Sequence, residues 1–203
     1  SSRDLAKLAT GRDKSLLTED LKEHNKALCE TIAGSRILII GGAGSIGAST
    51  IEQLLQYSPK VLHVIDQNEN ELTELVRNLR GSVSPLENLG FRALPLDYAS
   101  KSALAFYRSE PSYDLILNFA AIKHVRSEKD RFSIMQMLDT NIQKQVVFLR
   151  TLSEIAFSGR YFSVSTDKAA NPTSFMGATK RVMEHIIFDN QLNENLHCNK
   201  SSC

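Results

Sequence analysis

One junction constrains this chain more than any other feature. Arg36-Ile37-Leu38-Ile39-Ile40 runs directly into Gly41-Gly42-Ala43-Gly44-Ser45-Ile46-Gly47, and a helix-compatible stretch comes next. The apolar run reads as a buried strand and the segment after Gly44 as a helix. Between them, glycines permit a tight turn and a close approach of backbone to a ligand. The free N–H groups and the dipole of the new helix then face whatever lies beyond the strand, which suits a pyrophosphate at Gly41, Gly44, Ser45, Ile46 and Gly47. No Lys-Ser or Lys-Thr succeeds the glycines, as a mononucleotide P-loop requires. Asp66 instead ends the next apolar run about 20 residues on, where a carboxylate accepts from a ribose 2′-hydroxyl. The ligand expected is a dinucleotide. An acid at that place repels a 2′-phosphate, so NAD is favoured over NADP, while Arg77 and Arg80 on the following helix leave NADP open.

From Arg36 onward, short β-branched runs alternate with amphipathic segments, the pattern of a parallel sheet covered by helices. Strands are expected at 36–40, 61–65, 91–95, 115–119 and 161–164, and helices at 45–56, 69–79, 100–108, 133–157 and 177–194. The fold class is α/β: a Rossmann-type doubly wound parallel sheet over 36–203, carrying an N-terminal helical extension over 1–35. That extension is predicted to hold one helix over 19–33, capped by Thr18 and stopped by Gly34. In an open parallel sheet, ligands bind beyond the carboxyl ends of the strands. Asp97 and Tyr98, after the third strand, should therefore border an adenine, and Ala120 and Ala121, after the fourth, the far ribose. The segment Ser165-Thr166-Asp167-Lys168, after the fifth, should overlook the nicotinamide with a hydrogen-bond donor, an acid and a potential base.

Composition excludes several alternatives. Twenty-four Lys and Arg against twenty-three Asp and Glu leave a net charge of +1, so no global field draws nucleic acid. No apolar run approaches the roughly 20 residues of a membrane helix. Cys29, Cys198 and Cys203 are too few and wrongly spaced for a disulfide framework or a metal site, so no metal is expected and a cytoplasmic location fits. An assembly of identical chains is expected.

Taken together, these residues resemble an extended short-chain dehydrogenase/reductase of the nucleotide-sugar 4,6-dehydratase group. The resemblance covers about residues 36–187. It is carried by Gly41, Gly44 and Gly47, by Asp66, by Leu96-Asp97-Tyr98, by Asn118-Phe119-Ala120-Ala121, by Lys123-His124-Val125 and by Asn141. The runs Ser165 to Pro172 and Met176 to Lys180 complete it. Thr166-Asp167-Lys168 is similar to the run in UDP-N-acetylglucosamine 4,6-dehydratases of bacterial capsule, lipopolysaccharide and flagellin glycan synthesis. Gly11-Arg12-Asp13 looks like the helical lead-in of capsule-type members, which often carry transmembrane segments upstream. A soluble relative and an excised catalytic part are both consistent with that.

The resemblance implies a reaction in which hydride passes from sugar C4 to bound NAD, water is eliminated across C5 and C6, and hydride returns to C6. It implies Asp167 as acid, Lys168 as base, Thr166 on the C4 oxygen and Lys180 on the nicotinamide ribose, with Lys123 and His124 on the substrate side. The substrate implied is a UDP-sugar. The sequence departs from the pattern twice. The usual Tyr of Tyr-x-x-x-Lys is Met176, as in capsule-type dehydratases, and a thioether cannot exchange a proton. Residues 188–203 also lack the further strand and small domain with which extended members bind UDP. A nucleotide-sugar 4-epimerase and a dinucleotide-binding module without turnover remain as alternatives.

Overall fold

β1 (Arg36–Ile40) is the centre of a five-stranded sheet. It pairs with β2 (Val61–Ile65) on one side and β4 (Leu115–Asn118) on the other. β3 (Gly90–Leu94) extends the first side and β5 (Arg160–Ser163) the second. All four pairings are parallel and the order is β3-β2-β1-β4-β5, so the winding reverses between β1 and β4. This is a doubly wound, Rossmann-type sheet, whose ligand crevice lies at such a reversal. The computed structural model describes residues 24–82, 89–120 and 139–164, together with residues 132, 135, 136, 182, 183, 185 and 186.

Among the described residues, five helices pack on the sheet: α1 (Asn25–Ile32), α2 (Ser45–Leu55), α3 (Glu69–Ser82), α4 (Lys101–Ser109) and α5 (Lys144–Glu154). Alternation along β1 divides the core between two faces. Ile37 and Ile39 join Ile32 of α1, Ile51 and Leu54 of α2, and Leu72, Leu75 and Leu79 of α3. Leu38 and Ile40 join Tyr107 of α4 and Phe148, Leu149 and Leu152 of α5. β1 is buried on both faces, which is why it reads as a continuous apolar run.

The strands lie within one residue of their expected bounds. Gly34 ends α1 as expected, with φ +71° and its N–H donated to the Ser58 carbonyl. The start of that expected helix, including Thr18, lies outside the described residues. The helix expected over 133–157 needs correction. It contains a π-helical turn, Asp139–Gln143, directly before α5, and it ends at Glu154. The stop is a Schellman motif without glycine. Ala156 takes φ +51° and donates to the Ser153 carbonyl, while Phe157 donates to that of Leu152. Phe157 and Leu152 are buried in the same cluster, so packing offsets the strain of a left-handed alanine.

At the amino-terminal edge of the sheet, charged groups pair with one another, although the buried Arg36 Nε makes no hydrogen bond among the described residues. Glu110 joins Arg36 at 2.9 Å and Arg92 at 2.9 Å, and the Arg36 amide donates to Asp114. Beside them His63, buried in β2, has its Nδ1 2.7 Å from the Tyr113 hydroxyl and its ring against Phe106. Burial pushes the His63 imidazole down to about 4, with Arg92 and Arg36 acting in the same direction against Glu110. The folded chain thus holds His63 neutral, whereas the unfolded chain protonates it near 6.5. Its contribution is complete above pH 6.5 and is lost as pH falls from 6.5 to 4, to a total of about 3 kcal/mol at most. Urea denaturation between pH 4 and pH 7 is expected to show that loss. A His63→Phe variant should flatten the pH dependence in this window, and an unchanged slope would exclude His63 as its source.

Candidate dinucleotide site

The site begins where β1 ends. Gly41 has φ +72°, a conformation suited to glycine, and a Cβ there would fall 2.8 Å from the Ala120 nitrogen. Gly47 lies equally close to the turn, since its Cβ would fall 2.6 Å from the Gly42 Cα and 2.7 Å from the Gly41 oxygen. The glycine spacing is therefore set largely by the protein's own backbone, with α2 pressed onto the end of β1. The first main-chain bond of α2 runs from Ala48 N–H to the Gly44 carbonyl at 2.8 Å, so the amides of Ser45, Ile46 and Gly47 precede it. Gly44, the N-cap residue, offers no side chain to cap them. Ser45 and Ile46 are exposed. Free donors at a positive helix end, beside the reversal of the sheet, fit the pyrophosphate of a dinucleotide.

Asp66 comes after β2 and has a task that sequence spacing does not reveal. Its Oδ2 accepts from the Ala43 amide at 3.0 Å and its Oδ1 from the Asn68 amide at 2.9 Å. The carboxylate thus fixes the glycine turn to the end of β2, while each oxygen keeps a further lone pair for a ribose hydroxyl. Asp97, beyond β3, accepts from the Ala99 amide through Oδ1 and pairs with Lys144 Nζ through Oδ2 at 2.5 Å. The Tyr98 ring belongs to the core, 6% exposed and edge-on to Phe148, and its carbonyl accepts from the Tyr107 hydroxyl. Any contact between residue 98 and a nucleotide is left to its backbone. Arg77, a candidate for a 2′-phosphate, pairs with Glu74 on the exposed side of α3, and Arg80 is likewise exposed.

The end of β4 is held by a buried network. Asn118 Oδ1 accepts from the Ala120 amide at 2.9 Å, which forces its Nδ2 toward Gln145 Oε1 and the Tyr161 hydroxyl. Gln145 Nε2 in turn donates to the same hydroxyl at 2.6 Å. Each amide orientation is dictated by the next, so the rim at Ala120 is rigidly tied to α5 and β5. Sequence reasoning did not single out Gln145, Lys144 or Tyr161. A signal existed for Gln145, a polar residue on the helical stripe of Phe148, Leu149 and Leu152.

Gly41, Gly44, Ser45, Ile46, Gly47, Asp66, Asp97, Tyr98 and Ala120 thus lie beyond the carboxyl ends of β1 to β4. Ala121, Lys123, His124, Thr166, Asp167, Lys168, Met176 and Lys180 lie outside the described residues. Among the described residues, no group of three His, Cys, Asp or Glu side chains could hold a metal ion, and no helix is long and apolar enough to cross a membrane.

Comparison with known proteins places this geometry in a family. The chain is 32% identical over 159 residues to an uncharacterized membrane protein of Methanocaldococcus jannaschii, covering 77% of this chain and 43% of that protein. It is 28% identical over 155 residues to the UDP-N-acetylglucosamine 4,6-dehydratase (inverting) of Campylobacter jejuni, covering 76% and 43%. The chain thus spans less than half the length of these curated relatives. The crystal structure of a UDP-glucose-4-epimerase from Stenotrophomonas maltophila, with bound NAD and formylated UDP-arabinopyranose, shares the fold. Its TM-score is 0.66 at 21% identity, covering 81% of this chain and 51% of that one. The polysaccharide biosynthesis protein family matches residues 37–201, and this chain, with its short-chain dehydrogenase/reductase fold, belongs to that family.

Proposed function

We propose that this chain forms the NAD-binding part of a nucleotide-sugar 4,6-dehydratase that acts on UDP-N-acetylglucosamine in surface-polysaccharide synthesis. The observation that carries the reading is the uncapped start of α2 at the sheet reversal, with Asp66 beside it. Family membership and the Campylobacter relative support the nucleotide-sugar class. NAD bound there supplies reversible hydride acceptance. The chain's own residues do the rest. The amides of Ser45 to Gly47 hold the pyrophosphate, Asp66 takes the adenosine ribose, and Lys180 takes the far one.

Chain order continues from β5 through Val164, whose amide donates to the Asn118 carbonyl at 3.1 Å, into Ser165-Thr166-Asp167-Lys168. In the proposed reaction Thr166 donates to the sugar C4 oxygen. The Lys168 amine removes the C5 proton made acidic by a C4 carbonyl, and Asp167 protonates the C6 hydroxyl as it leaves as water. A hydride at C6 and a proton at C5 then complete the 4-keto-6-deoxy product. With Met176 in place of a phenol, the proton from the C4 hydroxyl must leave through another group. The 4-epimerase reading is favoured by the NAD-bound epimerase fold. Asp167-Lys168 weighs against it, since epimerisation at C4 needs no acid and base at C5 and C6.

Incubation of UDP-N-acetylglucosamine with a longer protein that contains this chain and binds that nucleotide sugar should yield a product lighter by one water, detected by mass spectrometry. A C4 epimer of unchanged mass would instead establish the epimerase, and NAD binding without turnover would leave a binding module. Asp167→Asn and Lys168→Met should each slow elimination by about 10² to 10⁴ while NAD remains bound. Wild-type rates in either variant would remove that residue from the mechanism. Asp66→Arg should lower the ratio of NADP to NAD dissociation constants about tenfold or more, because it replaces a repelling charge with an attracting one. Both affinities should also fall, since the Ala43 amide loses its acceptor. An unchanged ratio would place the ribose elsewhere.

A further inference from the structure

Two adjacent residues at the start of α5 reach the turn after β3, the end of β4 and a side chain of β5. Lys144 Nζ pairs with Asp97, on the turn that leaves β3, and their side chains are 19% and 32% exposed. Gln145, fully buried, bonds to Asn118 at the end of β4 and to Tyr161 of β5. The π-helical turn Asp139–Gln143 comes directly before them. Such a turn holds an extra residue and resets the facing of the helix after it, and π turns occur frequently at functional sites. Lys144 points toward the adenosine half of the crevice, on the β3 side. Gln145 points toward the other half, on the β4 and β5 side.

We infer that Lys144 and Gln145 are positioning residues for the two halves of the cofactor rim, with Lys144 setting the adenine side through Asp97. This rests on the dinucleotide reading of the site. The physical argument is local. Asp97 Oδ1 already shapes its own turn by accepting from the Ala99 amide, and the Asp97 carbonyl accepts from Ser100, the N-cap of α4. Lys144 supplies the link that ties this turn to α5. Without it, the carboxylate stays unpaired beside the adenine subsite and the 96–98 turn loses its tether. Gln145 cannot compensate, because both ends of its amide are engaged on the β4 and β5 side.

Displacement of NADH fluorescence by AMP and by nicotinamide mononucleotide separates the two halves. Lys144→Met should weaken AMP and NADH about five- to tenfold and leave the mononucleotide within about twofold. Lys144→Arg should restore most of the AMP affinity, and Lys144→Gln should fall between, so the series remains readable if one variant folds poorly. Gln145→Met should show the converse pattern, losing the nicotinamide fragment more than AMP. A general loss of structure would weaken both fragments in proportion. AMP affinity unchanged in Lys144→Met, or AMP and mononucleotide weakened equally, overturns the positioning role. If the wild-type chain binds neither NADH nor AMP, the dinucleotide reading itself is overturned, and the positioning role with it.

Discussion

At Gly41 the backbone leaving β1 lies against the backbone leaving β4. The Gly41 amide donates to the Ile65 carbonyl of β2, while the Phe119 amide donates to the Ile40 carbonyl of β1. The β1 exit is thus bonded to β2, and the β4 exit to β1 itself. With a Cβ at Gly41 only 2.8 Å from the Ala120 nitrogen, any larger residue would push the β4 exit away and widen the crevice from within. The turn can then swing back so that Gly47 meets Gly42, and α2 starts directly above the end of its strand. Every later feature of the rim assumes this contact: the Asp66 bond to Ala43, the Asn118 bond to Ala120, and the open amides of α2.

The core makes this arrangement stiff. β1 and β2 are almost wholly inaccessible, and alternate residues anchor helices on opposite faces. Polar groups buried inside it do not float. His63 is held by Tyr113, and Asn118, Gln145 and Tyr161 bond to one another. Leaving any member of that set unpaired would cost about 1–3 kcal/mol, so the rim at β4 is held by the same energetics that keep the core folded.

How local a signal is decides whether the sequence makes it legible. Strand runs and glycine spacing are short-range patterns, and the strands fell within one residue of expectation. Asp66 was legible as a carboxylate after β2 but not as a fastener of the turn, because Ala43 lies 23 residues away. The Lys144–Asp97 pair spans 47 residues and exists only once α5 docks beside α4. The π turn left no compositional mark in Asp139-Thr140-Asn141-Ile142-Gln143. Ala156 misled in the opposite direction, since a helix stop without glycine carries no local signature and is set by the packing of Phe157. The chemistry expected from Thr166, Asp167, Lys168 and Lys180 is legible only as a resemblance, as those residues lie outside the described part.

The polarity of the fold decides which rim takes an anion. In a parallel sheet, helices that follow strands begin at the carboxyl edge, where their positive ends gather, and finish at the opposite edge. The amino edge carries Arg36 and Arg160 at the first positions of β1 and β5, cations that suit the negative helix ends there, and Glu110 is shared between Arg36 and Arg92. At the carboxyl edge α3 is closed by Asn68, whose Oδ1 accepts from Glu71, and α4 by Ser100, whose Oγ accepts from Ala103. α5 is continuous with the π turn before it. α2, following β1 at the reversal of the sheet, is the strand-following helix among these whose first turn has neither a capping side chain nor preceding helical structure. A glycine at that N-cap, in the extended conformation of φ −68° and ψ 163° that any residue adopts, forgoes the stabilising bond that Ser or Asp would supply. The omission makes physical sense when the donors are kept for an anion from outside the chain.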